Sequence, residues 1–334
     1  MTLAIVWRSN RLSLVDISDM NNIKNLTDGV TLPGNPLCVS VVATSKGWTA
    51  YCGQSSGYVS AVAITNTGMT KIRDVQLPGI SSDVWLDLSV DNNLVYAVAS
   101  TGPQRAKMFS LSTSDFDVVE GDTLATASAS IFQLGSVNVL STPLVTSGLI
   151  VAILIWSVET DPPSFLDSQP FSIPFTGGAQ NMGKSFNGSN DSLLYIANPS
   201  SKIITGVLST NKKYFNRLPD MTLPGNVTAI APVSYDGKAY VSAGSNLCVI
   251  NKDKGVSKIT PLANSANAIS LPTNSSAAYL LLNNQPANQA IFKVDFSNND
   301  KITKGILPWL NPLGLTVLPP KNPQVKPPSN CGCM

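Results

Sequence analysis

Histidine is absent from this chain of 334 residues. That absence removes Ser-His-Asp and Cys-His nucleophile systems, histidine-ligated metals and imidazole acid–base chemistry together. Glutamate is nearly missing as well, since Glu120 and Glu159 are the only two among 20 acidic residues. Charged residues make up 13% of the chain, against about 25% in an ordinary soluble protein. The net charge is +2, and no basic stripe runs along the sequence. Phosphate recognition rests on clustered Lys and Arg, so nucleic acid is not expected as a partner. The first residues, MTLAIVWRSNRLSLVDI, lack the apolar core and small-residue cleavage site of a signal peptide and alternate like a strand. The fold is therefore expected to begin at residue 1. Residues 138–157 are uncharged and apolar, but Pro143 and Gly148 interrupt them. They read as two buried strands, and no membrane span is expected.

Ser, Thr and Asn take the place of the missing charge, and hydrophobic residues at 43% are ample for a core. Short β-branched and aromatic runs bounded by Gly, Pro, Asn and Asp dominate, without long helical periodicity. These runs recur. Leu32-Pro-Gly-Asn35-Pro, Leu77-Pro-Gly79, Leu223-Pro-Gly-Asn226 and Leu307-Pro-Trp-Leu-Asn311-Pro each precede an apolar stretch. A marker residue can be followed through Asn35, Asp83, Asn138, Asn181, Asn226, Asn267 and Asn311, at spacings of 48, 55, 43, 45, 41 and 44. After each marker comes a run, a turn and a second run that usually holds Tyr, as at Tyr51, Tyr96, Tyr195, Tyr240 and Tyr279. Turns such as Ser45-Lys-Gly47, Asn187-Gly188 and Asp236-Gly237 supply residues that tolerate positive φ, which makes each pair a hairpin. A third and a weaker fourth run complete the unit. Four antiparallel strands in about 45 residues form one propeller blade.

The seventh unit is cut short. Only Leu313–Leu318 follows Asn311 before proline takes over, while Leu3–Trp7, Arg11–Ile17 and Ile23–Leu26 at the other end supply three strands. The ends are expected to share one blade and close the ring, removing the edges an open stack would leave. The expected fold is all-β: one seven-bladed propeller over residues 1–319, followed by an extended proline-rich tail, 320–334, ending Cys331-Gly-Cys333-Met334. The repeat, with its Leu-Pro-Gly-Asn entry, Asp-Gly hairpin turn and Tyr-bearing second strand, resembles the YVTN/YncE-like family of seven-bladed propellers. The resemblance lies in period and turn chemistry, not in a functional motif. The fold by itself does not specify an activity.

In propellers of this kind the innermost strand starts at the mouth of the central channel, so the seven marker residues could form a polar ring there. Asn at such a place also bonds its own backbone where the chain turns between blades. The alternative is a mouth for a cation or a small polar ligand, with Asp83 its one charge. Lactonase-type propellers set Glu, Asn, Asp and His around a divalent metal, and that set cannot be carried over to a chain without His. No catalytic residue, metal ligand or cofactor is assigned. Asp115-Phe-Asp117 and Asn298-Asn-Asp300 read as loop turns without the spacing of a calcium loop. Cys38 and Cys52 flank the first hairpin almost symmetrically and are either buried thiols or a disulfide across adjacent strands. Cys331 and Cys333, at the tip of the tail, are assigned to contact with another protein.

The function expected from this inventory is a non-catalytic binding or structural module on an external surface, virion or cell. Ser/Thr/Asn in place of charge, scarce Glu and absent His resemble structural proteins of viruses of acidophilic archaea. Its partners would be other protein subunits, met through the tail and the propeller faces, or a surface glycan. A lectin would need an aromatic platform repeated from blade to blade, and Trp7, Trp48, Trp85, Trp156 and Trp309 share no repeat position.

Overall fold

The computed structural model describes residues 1–27, 29–88, 93–102, 105–125, 132–133, 139–146, 149–157, 161–174, 182–186, 192–198, 201–210, 214–231, 233–234, 236–272, 276–282, 290–309 and 311–320. Among these the strands gather into seven sheets, and no residue is helical. Six sheets follow one another along the sequence, with a single short strand exchanged between two of them. Blade I runs Pro36–Thr44, Gly47–Gln54, Tyr58–Ile64 and Met69–Gln76, and blade II runs Val84–Leu88, Leu94–Gly102, Arg105–Ser112 and Val118–Ala125. Blade III holds Phe132–Gln133, Val139–Thr146, Leu149–Ser157 and Ser164–Pro174. Blade IV holds Met182–Phe186, Ser192–Ala197, Ile203–Thr210 and Tyr214–Arg217, and Val233–Ser234 adds a short parallel pairing on its inner side. Blade V is Val227–Ile230, Lys238–Ala243, Asn246–Asn251 and Gly255–Pro261, and blade VI is Ala266–Ser270, Ala277–Leu282, Ala290–Asp295 and Lys301–Ile306.

The seventh blade is composite. Gly314–Val317 pairs antiparallel with Leu3–Arg8, which pairs with Arg11–Asp16, and the short segments Lys24–Asn25 and Val30–Thr31 form the outer edge. Closure of the ring follows from counting cores. Blades I and II, II and III, III and IV, IV and V, V and VI, and VI and VII each share a buried apolar cluster. An open row of seven sheets would stop there. A seventh cluster instead joins Leu3, Ile5, Trp7, Leu12 and Leu14 of blade VII to Trp48, Ala50, Cys52, Val62 and Ile64 of blade I.

The repeat signals have physical roles in this ring. Each tyrosine of a second strand buries its ring in the core shared with the next blade: Tyr51 against II, Tyr96 against III, Tyr195 against V, Tyr240 against VI and Tyr279 against VII. Tyr51 lies 6.0 Å from the Phe116 ring and Tyr240 5.3 Å from the Phe296 ring, each phenylalanine belonging to the turn before the outermost strand of the following blade. The entry leucines Leu32, Leu77 and Leu223, and Leu262 at the matching place before blade VI, are buried, and each backbone N–H bonds the residue just before the third strand of the blade it leaves. Their acceptors are the carbonyls of Asn10, Gly57, Lys202 and Ser245, at 2.7–2.9 Å. The leucine side chain and this bond together fix the crossover from outer rim to inner strand.

Small hydroxyls and one thiol tie neighbouring inner strands. Thr228 Oγ1 donates to the Ala266 carbonyl at 2.6 Å, Ser242 Oγ accepts from the Ala266 N–H at 2.8 Å, and Ser270 Oγ accepts from the Val317 N–H at 2.9 Å. Cys38 Sγ takes the same place between blades I and II, accepting from the Leu86 N–H at 3.3 Å. These hydroxyls act as internal cross-bracing, satisfying backbone groups that burial would otherwise leave unpaired.

Candidate functional site

Strand direction sorts the loops onto two faces. One face carries the entry segments and the turns between second and third strands. The other carries the hairpin turns between first and second strands, the turns before the outermost strands, and the point where the chain leaves Gly314–Val317. Residues 318–320 therefore emerge on the face opposite Asn311.

Asn35, Asp83, Asn226 and Asn311 stand exposed on the entry face, each just before an innermost strand. Asn35 and Asn226 use their carbonyls to accept the N–H of Ser55 and of Gly244, at 3.0 and 2.8 Å. Asn311 adopts φ 55, a left-handed conformation that Asn tolerates. Asn267 is misplaced by the sequence reading. It is an extra, bulged residue, since Ala266 pairs with Leu282 and Ala268 with Leu281. Leu37 in blade I and Thr228 in blade V are the same bulge, so Ser265, not Asn267, occupies the position of Asn35 and Asn226. Asn138 and Asn181 lie outside the described residues. The strand after Asn138, Val139–Thr146, is the second strand of blade III, paired between Phe132–Gln133 and Leu149–Ser157, so the marker for this blade belongs ahead of residue 132. The 55-residue gap in an otherwise shorter spacing was the signal of that slip.

The cysteines of blade I are free thiols on opposite faces of the sheet. Cys52 pairs with Val39, one position out of step with Cys38. Cys38 thus turns to blade II and Cys52 joins the core shared with blade VII, which rules out the cross-strand disulfide. Burial pushes the Cys38 thiol up to about 12 and Cys248 up to about 11, leaving both protonated at neutral pH. Cys331 and Cys333 lie outside the described residues.

Carboxylates are placed as braces. Asp300 accepts Thr260 Oγ1 at 2.8 Å and pairs with Lys258 at 2.5 Å, joining the turn of blade VI to the outer strand of blade V. Asp236 gathers Ser234 Oγ at 2.6 Å, Tyr240 OH at 2.7 Å and Lys238 Nζ at 2.9 Å. Burial alone would raise the Asp236 carboxyl, but these hydrogen bonds and the Lys238 charge outweigh it and hold the pKa below the ordinary value. Asp220, bonded by Thr205 and by both contacts of Arg217 Nη2, is lowered against its burial in the same way. Asp115 accepts the Asp117 N–H within its own turn at 3.2 Å. Among the described residues no three Cys, Asp or Glu side chains group as a metal site. An open groove of about 420 Å³ between the outer strands of blades III and IV is lined by Gln169, Pro170, Phe171, Ser172, Asn216 and Arg217. Its one cation is already tied to the Ser172 carbonyl, at 2.6 Å, and to Asp220.

What the sequence reading missed is the outer rim. Of eleven exposed large apolar side chains among the described residues, seven stand on outermost strands: Ile72, Val119, Phe165, Leu166, Ile259, Ile302 and Ile306. Ile72 and Leu166 are also bulge residues, unpaired in their ladders. Bulges interrupt the outermost strands of blades I, II, III and V, a device that keeps exposed edges from pairing indiscriminately.

Solved structures of the same architecture are numerous. A functionally unknown protein from Desulfotomaculum acetoxidans superposes with a TM-score of 0.67 at 15% identity, covering 96% of this chain and 100% of its own. A protein from Lactobacillus plantarum gives 0.65 at 15% identity over 95% and 100%. A provisionally named 6-phosphogluconolactonase from Bacteroides uniformis gives 0.68 at 12% identity over 95% and 99%. No protein-family profile matches the chain, and no curated protein sequence does. This chain is a β-propeller. At these identities the likeness is one of fold alone, and the YVTN/YncE-like resemblance remains one of repeat period. No helix of the described residues is long and apolar enough to cross a membrane.

Proposed function

We propose that this propeller is a non-catalytic assembly or binding module acting on an external surface, virion or cell. The observation that supports the reading is the rim, where blades I, II, III, V and VI each expose large apolar side chains on the outermost strand. Exposed apolar surface that extends across neighbouring elements is a mark of interaction sites, and here it runs over the outermost strands of successive blades. The ionisable groups described above brace blades rather than converge, which fits binding better than turnover. Trp7, Trp48 and Trp156 are buried in inter-blade cores, so they offer no sugar platform, and protein partners fit better than a glycan. The C-terminal tail, leaving from the face opposite Asn311, is a second route to neighbouring subunits.

The test pairs two measurements on the full chain. Retention on purified surface or particle material should fall when Ile72, Ile259 and Ile302 are replaced together by Ser, with the melting temperature preserved. A panel of sugar lactones should show no hydrolysis above the buffer rate. Chain-dependent turnover, or retention indifferent to the triple variant, would overturn the reading.

A further inference from the structure

Charge that is scattered along the sequence is segregated once the ring closes. The outermost strands of blades V, VI, VII and I, which are consecutive around the ring, carry Lys258, Lys301, Lys304, Lys24, Lys71 and Arg73 against Asp74 alone, with Lys71 paired to Asp74 and Lys258 to Asp300 of the adjoining turn. Those of blades II and III carry Glu120, Asp122 and Asp167 and neither Lys nor Arg, Glu120 being paired with Lys107 of the third strand of blade II. Each arc also holds exposed apolar side chains, Ile72, Ile259 and Ile302 on the basic one and Val119, Phe165 and Leu166 on the acidic one. From the middle of the basic arc, between blades VI and VII, the middle of the acidic pair is three blades away in one direction and four in the other. In a ring of seven that is as close to diametric as the count allows.

We propose that the rim binds a second copy of this chain, the basic arc of one propeller against the acidic arc of the next. The inference rests on reading the rim as an interaction surface and names its partner. Opposite charges orient the encounter, and the apolar side chains between them supply the contact that water would otherwise cover. Such a contact is heterologous, because two different patches meet. Patches on opposite sides of a disc do not close into a small ring, so the association continues as an open row.

Sedimentation of the full chain at low salt should show a concentration-dependent series of species rather than one dimer. It should collapse toward monomer in about 0.5 M salt, where screening reaches only a few Å. Lys24→Glu, Lys301→Glu and Lys304→Glu together make both arcs net acidic, and Glu120→Lys with Asp122→Lys makes both basic. Each variant alone should weaken association by about tenfold or more, while mixing the two, or combining all five changes in one chain, should restore it. Melting curves on each variant show that the fold survives. A chain that stays monomeric at low salt, or association insensitive to both charge variants, overturns the proposal. So does a monomer whose basic arc captures an acidic polymer instead. In any of these cases, loss of surface retention in the Ile72, Ile259 and Ile302 variant would leave the broader reading of the rim standing.

Discussion

The indole N–H of Trp48 donates to the carbonyl of Pro319 at 2.8 Å, joining blade I to the last turn of chain across 271 positions of sequence. Leu318, next to that acceptor, lies in the same core as Leu3 and Trp48. Closure is thus made three times: by strand pairing in blade VII, by the seventh apolar cluster, and by this bond.

Trp48→Phe keeps the ring's bulk and removes the donor, leaving the Pro319 carbonyl unpaired. The expected loss is about 0.5–1.5 kcal/mol, that of one ordinary hydrogen bond. Deleting residues 1–18 is a different matter, since it removes Leu3–Arg8 and Arg11–Asp16 and exposes both flanking cores. That truncation should lose the cooperative thermal transition altogether. If it melts like the intact chain, closure contributes nothing.

Close approach between blades makes a second test at glycine. A Cβ placed on Gly53 would sit 2.3 Å from the Val84 carbonyl oxygen and 2.9 Å from Cys38 Sγ, so the inner strand of blade II must move to admit it. Gly53→Ala should cost about 1–3 kcal/mol in denaturant unfolding, the usual range for overpacking. Gly68, in the turn before the outermost strand of blade I, has nothing within 4 Å. Gly68→Ala should be neutral or stabilising by up to about 1 kcal/mol through the unfolded state. Equal effects at the two sites would sink the packing argument.

Period, hairpins and ring closure were legible in the sequence because each rests on local chemistry. Leu-Pro-Gly turns a chain, Tyr at a fixed place in the second strand fills a fixed gap, and proline after Leu318 ends a sheet. Two of the errors come down to a shift of one residue. A bulge at Asn267 moved a marker by two, and the two-residue turn between Thr44 and Gly47 centres the hairpin half a residue past Ser45, so Cys38 faces Gly53 and Cys52 faces Val39; strand side chains alternate, and a one-residue slip changes the face. Blade III misled through Asn138, which precedes a strong apolar strand that is second rather than first in its sheet. The rim charge was not legible for a different reason. Lys24, Lys71, Lys258 and Lys301 are far apart in sequence and become neighbours only when the two ends meet.

The pH dependence follows from the carboxylates. Asp236, Asp220, Asp16, Asp115 and Asp295 are all held below the ordinary carboxyl range. A folded pKa below the unfolded one means the stabilisation is complete above about pH 4–5 and is lost as pH falls through the folded values. On the alkaline side, raised thiols such as Cys38 and Cys248 favour the fold below their unfolded pKa, about 8.5, and that contribution fades above it. No histidine titrates between. Denaturant midpoints should therefore be flat from about pH 5 to 8 and decline on both sides. Asp236→Asn should lower the midpoint at pH 7 and flatten its acid limb, and a variant whose acid limb matches the parent would remove Asp236 from the account.

The five thiols should divide into two classes. Cys38 and Cys248 have their thiolates disfavoured by burial, Cys52 is pushed up further by burial and by Cys38, and all three lie in or against inter-blade cores. Thiolate, not thiol, is the nucleophile, so these should resist alkylation at pH 7.5 until the propeller unfolds. Cys331 and Cys333 follow a segment with Pro at 319, 320, 323, 327 and 328, a sequence that favours extended polyproline geometry at about 3.1 Å per residue, enough for some 45 Å over fifteen residues. The expected result with a maleimide is two fast thiols in the native chain and five in denaturant. Removing residues 321–334 should abolish the fast class and leave the melting temperature unchanged, because Pro319, the residue held by Trp48, is retained. The same truncation should weaken partner binding if the tail reaches a neighbouring subunit, and oxidised native material should then show an intermolecular disulfide that reducing agent releases. Rapid native labelling of Cys52 or Cys248 would place those thiols outside the cores, and a tail-less chain that assembles normally would reduce the tail to an ornament of the fold.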